Sequence, residues 1–72
     1  MDLHQVLKIL VAWPDGISES LLRAHGLDST TLAELIAARF ATSKIVRVWE
    51  DGKELELKRI RITDKGRRTL EG

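Results

Sequence analysis

Residues 44–63 read KIVRVWEDGKELELKRIRIT. This stretch predicts a β-hairpin, because Asp51-Gly52 suits a two-residue type I′ turn in which both central residues have positive φ. The turn fixes the register: Glu50 faces Lys53, and every outward step pairs the next two residues. Four aliphatic side chains then fall on one face of the hairpin, and we expect them to pack on the core: Val46, Val48, Leu55 and Leu57.

The alternation of apolar and polar residues changes phase beyond Leu57. Ile60 and Ile62 are out of step with Leu55 and Leu57, so we expect a bulge or strand break near residues 58–59. An additional short strand near residues 16–17 is an open option for the same sheet.

Two short helices are predicted before the hairpin from their end signals. Helix 1 begins after Asp2, which with Gln5 has the form of a capping box, and it ends at Trp13, which we expect in the core. Helix 2 begins after Ser18 and ends at Gly26, in the arrangement of a Schellman stop.

A third helix is predicted after Asp28, and a short C-terminal helix begins at residues 63–64. The third helix has the spacing of one apolar face, formed by Leu32, Leu35, Ile36 and Phe40, with Arg39 in the same arc. Its outward side is then Thr30, Thr31, Glu34, Ala37, Ala38 and Ala41.

Composition indicates one small domain spanning residues 1–72. The sequence has no cysteine and a formal net charge of +1, and its longest apolar run, residues 6–13, is too short for a membrane span. We therefore expect a soluble, cytoplasmic protein without disulfides.

The positive charge is concentrated in the second half. Residues 44–72 hold nine Lys and Arg against six Asp and Glu, whereas residues 1–43 hold three against five. Any surface for a polyanion is expected within one cluster: Lys58, Arg59, Arg61, Lys65, Arg67 and Arg68.

The order of elements predicts an α+β fold, a single winged helix-turn-helix domain with three helices, a two-stranded β-wing and a short C-terminal helix. The tail resembles the segment with which many bacterial winged-helix regulators, of the MarR and PadR type, leave the wing and enter the next helix. It reads Ile60-Arg61-Ile62-Thr63-Asp64-Lys65-Gly66-Arg67-Arg68-Thr69-Leu70-Glu71. The resemblance implies that helix 3 is a candidate recognition helix and that the tip from Glu50 to Lys53 is a candidate DNA contact.

The first functional hypothesis is therefore a small DNA-binding or DNA-associated regulator, with double-stranded DNA as partner. Its candidate contacts are the basic cluster together with Thr30, Thr31 and Lys53. The outward side of helix 3 has no Lys, Arg, Asn or Gln, however, and Glu34 would face phosphates.

The second hypothesis is a protein-interaction module that binds a second copy or another protein and no DNA. Ala33, Ala37 and Ala41 recur every four residues, which allows another helix to approach closely, although alanines are also simply good helix formers. Trp49 lies on the polar face of the hairpin, so it is either exposed or covered by a partner.

Enzymatic motifs are not visible in the sequence. His4 and His25 lie on different predicted helices without a second ligand nearby, and no Gly-rich phosphate loop or nucleophile motif occurs. We expect no catalytic activity, no metal, no cofactor and no small-molecule ligand.

Overall fold

The computed structural model describes residues 2–71, which form one three-stranded antiparallel sheet and four helices. The helices are α1 (Leu3–Val11), α2 (Glu19–Ala24), α3 (Ser29–Ala37) and α4 (Asp64–Glu71). The strands are β1 (Ile17–Ser18), β2 (Ala41–Glu50) and β3 (Lys53–Ile62), and their order in the sheet is β1-β3-β2.

The expected architecture, a winged helix-turn-helix with three helices, a two-stranded wing and a short C-terminal helix, is wrong. The chain is a small α+β fold whose sheet has three strands, because Ile17 pairs with Ile60 and Ser18 pairs with Arg59. The additional short strand that was an open option near residues 16–17 is therefore present, as β1. β3 is therefore the central strand at this end of the sheet, and β2 is an edge strand along its whole length.

The hairpin register is confirmed. Asp51 and Gly52 have φ values of 51° and 75°, the positive values that the predicted turn needs. The ladder between β2 and β3 starts with Glu50 opposite Lys53 and continues without interruption to Ala41 opposite Ile62. The predicted bulge near residues 58–59 is wrong, because both strands keep the same pairing through this point.

Each side of this ladder has its own name below. The inner face is the one whose root half packs on the helices, and it carries Ala41, Ser43, Ile45, Arg47 and Trp49 with Glu54, Glu56, Lys58, Ile60 and Ile62. The outer face carries Thr42, Lys44, Val46, Val48 and Glu50 with Lys53, Leu55, Leu57, Arg59 and Arg61.

The expectation that the aliphatic quartet packs on the core is wrong. Val46, Val48, Leu55 and Leu57 lie on the outer face, where Leu55 is 40% exposed and Leu57 36% exposed. The core uses the opposite face, through Ala41, Ile60 and Ile62 at the root of the hairpin. It consists of Val6, Leu7, Leu10, Ile17, Leu22, Leu27, Leu32, Leu35, Ala41, Ile60 and Ile62.

Helix caps follow the sequence closely. The side chains of Asp2, Ser18 and Asp28 each accept a hydrogen bond from the backbone N–H three residues on, as predicted for N-caps. Hydrogen bonds from the backbone and side chain of Thr31 hold the pKa of Asp28 below its usual value. That cap therefore stabilises the fold above the ordinary aspartate pKa and weakens as the pH falls below it.

The stop at the end of α2 is also confirmed. Gly26 has a φ of 106°, its N–H donates to the Arg23 carbonyl, and the Leu27 N–H donates to the Leu22 carbonyl. These two bonds define the Schellman motif.

Helix 3 is shorter than expected. α3 ends at Ala37, and Arg39 follows with a φ of 63° while the Phe40 N–H donates 2.9 Å to the Leu35 carbonyl. This is a second Schellman stop, with arginine in the left-handed position that glycine usually takes. Arg39 is therefore not on the helix, and Ala41 is a buried residue of β2.

Trp13 is not a core residue, contrary to expectation. α1 ends at Val11, and Trp13 lies in the following turn, where its carbonyl accepts a 2.8 Å hydrogen bond from the Gly16 N–H. Its side chain is 51% exposed.

The start of α4 is fastened to the end of α3. The Thr63 hydroxyl donates 2.6 Å to the Arg39 carbonyl, and the Thr63 N–H donates 3.0 Å to the Phe40 carbonyl. Gly66 is buried beside the same turn, and a Cβ there would lie 2.9 Å from Cγ1 of Ile62 and still closer to the Phe40 carbonyl oxygen. Only glycine fits this contact without a backbone shift.

We predict that Gly66→Ala lowers the free energy of unfolding by about 1–3 kcal/mol, because the added methyl group meets a backbone oxygen. Chemical denaturation measures this. Arg68→Ala, an exposed change in the same helix, is the control and should stay within about 0.5 kcal/mol. Unchanged or raised stability of Gly66→Ala would contradict the packing described here, since alanine otherwise favours a helix.

We predict that Arg39→Gly raises the free energy of unfolding by about 1 kcal/mol, because it removes the left-handed strain of a side-chain-bearing residue. Ala38→Gly, one residue earlier in right-handed conformation, should lower it by a similar amount. Thermal and denaturant unfolding of both variants give the two signs, and equal signs would refute the assigned stop.

Candidate nucleic-acid interface

Three cations converge on the outer face at the root of the hairpin. Lys44 lies directly opposite Arg59, and Arg61 is the next outer-face residue of β3, opposite Thr42. We call Lys44, Arg59 and Arg61 the basic root. No ion pair shorter than 4.0 Å involves them within residues 2–71.

The basic root surrounds a concavity. Its volume is about 240 Å³, and Thr42, Val46 and Asp15 complete its lining. Asp15 is the one acidic residue in that lining, against three cations. The concavity therefore presents hydrogen-bond donors and positive charge to solvent.

The Arg59 side chain is positioned by a glycine. Gly16 has a φ of 102°, and a Cβ at this position would lie 2.5 Å from Cγ of Arg59. The aliphatic stem of Arg59 therefore lies across the Gly16 backbone. Arg59 is half-buried, whereas the other two cations of the basic root are exposed.

The rest of the predicted basic cluster lies elsewhere. Lys58 points to the inner face, where its Nζ is 3.9 Å from Oε1 of Glu19. On α4, Lys65 places its Nζ 5.4 Å from the centre of the Phe40 ring. Arg67 is half-buried with a buried Nε that has no hydrogen-bond partner within residues 2–71, whereas Arg68 is exposed. The six residues of the cluster lie close together in sequence but on different surfaces of the fold.

The other predicted DNA contacts are poorly placed for a polyanion. Thr30 is exposed, but Thr31 is buried, so its side chain is not available to a base. Lys53 lies at the hairpin tip opposite Glu50 and close to Asp51, where acids outnumber it. The tip is therefore the less suitable end of the hairpin for phosphates.

The candidate protein-contact residues separate as well. Ala33 and Ala37 are exposed on α3, but Ala41 is buried in the core, so the alanine stripe has only two accessible members. Trp49 is 73% exposed on the inner face, and Ile45 on the same face is 60% exposed.

Lys44 was not among the candidates chosen from sequence, although a signal was available. The Asp51-Gly52 register, extended two pairs beyond Val46 and Leu57, places Lys44 opposite Arg59. The expected bulge obscured this, because it would have changed the pairing near Arg59.

Residues 2–71 also bear on membrane and metal sites. No helix in this range is long and apolar enough to cross a membrane. No group of three or more His, Cys, Asp or Glu side chains in the described range is arranged to hold a metal ion.

Comparison with known proteins adds no relative. The chain matches no protein-family model, and neither the curated proteins nor the solved structures give a significant match. The likeness of residues 60–71 to winged-helix regulators therefore stays a prediction, and a functional argument must come from the surfaces described above.

Proposed function

We propose that this chain is a small DNA-associated, regulator-like protein whose basic root contacts the phosphates of double-stranded DNA. The observation that carries the proposal is the like-charged pair of Lys44 and Arg59, directly across the ladder, with Arg61 beside it. Within residues 2–71 no acidic group lies within 4.0 Å of these three cations.

Such a pair is unfavourable in the unbound protein. Like charges directly opposite on neighbouring strands destabilise a sheet, because their side chains are held about 5 Å apart. An anion bound between the two cations offsets this repulsion, because each cation is attracted to it. A phosphate backbone supplies a regular row of anions and releases counterions when lysines and arginines neutralise it.

The charge on the two faces of the hairpin favours the outer face for this role. The outer face has four cations and one acid, whereas the exposed part of the inner face has Arg47 and Lys58 against Glu54 and Glu56. Glu50 and Asp51 make the tip unfavourable, so the contact that we propose is at the root.

The aliphatic quartet is compatible with the same partner. Val46 and Leu57 lie next to Lys44 and Arg59 along the outer face. Proteins that contact the minor groove combine cations with exposed apolar side chains that press against sugars or base steps. This arrangement supports contact with duplex shape and backbone, and it gives no basis for a particular base sequence.

A second candidate function is a protein-interaction module without DNA binding. The observation that favours it is the exposure of Trp49 and Ile45, because large apolar side chains that are exposed together mark interaction surfaces. In a protein-interaction module without DNA binding, the cations of the outer face contact only solvent.

We predict that the affinity of this chain for duplex DNA falls steeply as the salt concentration rises. Lys44→Ala with Arg61→Ala should reduce the magnitude of the slope of log K against log salt by about 2, roughly 0.9 for each lost phosphate contact. Both side chains are exposed, so the fold should be unaffected. Fluorescence anisotropy with a labelled duplex at several salt concentrations measures the slope.

The matched control is Lys8→Ala with Arg68→Ala, which removes the same charge from exposed positions away from the basic root. It should leave the slope within error of the original protein. An equal reduction of the slope in both double variants would mean that net charge, not the basic root, determines binding. Absence of DNA binding at low salt would contradict the proposal and favour the protein-interaction module.

A further inference from the structure

The inner face carries both a projecting aromatic side chain and a groove. Trp49 projects near the tip, 73% exposed. At the root of the same face, α3 and β2 border a concave surface of about 550 Å³, which includes Leu32, Ala33, Ile36, Ala37 and Ser43. A second concavity of about 670 Å³ continues from it and shares Ile36 and Ser43. We call these two concavities the α3 groove.

We propose that a second copy of this chain occupies the α3 groove, with Trp49 of each protomer inserted beside Ile36 and Ala37 of the other. The surface is then isologous, because one patch contains both the inserted side chain and the site that receives it. The proposal concerns a surface other than the basic root and does not depend on DNA binding.

The spacing along β2 fits a two-fold arrangement. Ser43, at the groove, and Trp49 lie six residues apart on the same face, which is about 20 Å in an extended strand. The midpoint falls at residue 46, so a two-fold axis would pass between Ile45 and Arg47, whose guanidinium is paired with Glu54 and Glu56 of its own hairpin. Ile45 is 60% exposed and would be covered at the axis.

The charges of the two ends are complementary. Around Trp49, residues 47–56 contain two cations and four acids. The α3 groove is bordered by Arg23, Lys58, Arg39 and Lys65 against Glu19 and Asp64. An antiparallel arrangement of two hairpins brings each acidic tip to the other protomer's basic groove, which favours this orientation over tip against tip.

The small side chains in the groove make room for an indole. Ala33 and Ala37 are exposed on the edge of α3 that faces the groove, and Ile36 is 36% exposed between them. An aromatic residue buries about 150–250 Å² when it is enclosed, and tryptophan is among the residue types enriched at the hot spots of interfaces. Trp49 is therefore the expected hot spot.

The test measures the dimer dissociation constant by analytical ultracentrifugation over a range of concentrations. We expect the original chain to dimerise and Trp49→Ala to weaken the dimer about 1000-fold, since two hot spots of about 30-fold each are lost. Ala37→Glu, which fills the groove with a charge, should have a similar effect. Trp13→Ala, at another exposed tryptophan, is the control and should leave the dimer unchanged.

Mixing the two interface variants separates this arrangement from other ways of using Trp49. Trp49→Ala keeps an intact groove and Ala37→Glu keeps an intact tryptophan, so one of the two contacts can form between them. We expect a heterodimer weakened only about 30-fold, while each variant alone is monomeric at the same concentration. No heterodimer would overturn the reciprocal insertion.

The emission of Trp49 gives an independent readout. With Trp13→Phe as background, emission should shift to shorter wavelength as dimer forms, because the indole leaves water. Constant emission together with a monomeric mass at all concentrations would overturn the proposal, as would a dimer that Trp49→Ala leaves unchanged. Circular dichroism checks that the variants are folded.

Discussion

The ten-pair ladder between β2 and β3 is the constraint on which the rest of this structure depends. It starts at a turn with two positive φ values and runs without a bulge, so every side chain of residues 41–62 is assigned to a face by its distance from Gly52. A slip of one residue would place Ile60 and Ile62 in solvent and Arg59 and Arg61 in the core. The register of this ladder therefore determines both which residues enter the core and which charges lie on the surface.

The ladder is longer than the helices that cover it. A ten-residue strand spans about 34 Å, whereas the nine-residue helices α1 and α3 are each about 13 Å long. The helical layer can cover only the root of the hairpin, through Ala41, Ile60 and Ile62. The half of the hairpin nearer the tip has both faces in solvent, which explains why Leu55 and Trp49, on opposite faces, are both exposed.

This length difference also separates what the sequence could predict from what it could not. Local chemistry gave the N-caps, the Gly26 stop and the register correctly, because each depends on residues close in the chain. The core assignment failed because alternation shows which residues share a face, but not which half of a strand the helices cover. Val46 and Val48 each face a leucine across the ladder, and such aliphatic pairs indicated a core face more strongly than Ile60 and Ile62, which face smaller residues. The predicted basic cluster is divided for a related reason: Lys58 and Arg59 are neighbours in sequence, but side chains alternate along a strand and these two lie on opposite faces.

Having both faces uncovered gives the hairpin two surfaces that do not compete. The outer face holds the basic root beside Gly16, and the inner face holds Trp49 and the α3 groove. A contact on the inner face would leave Lys44 and Arg61 in solvent, since neighbouring residues of β2 and β3 alternate between faces. Two protomers joined through their inner faces would therefore present two basic roots, and their combined phosphate contacts would raise affinity through effective concentration rather than through new contacts. In this way one uninterrupted strand pairing can serve association and anion binding together.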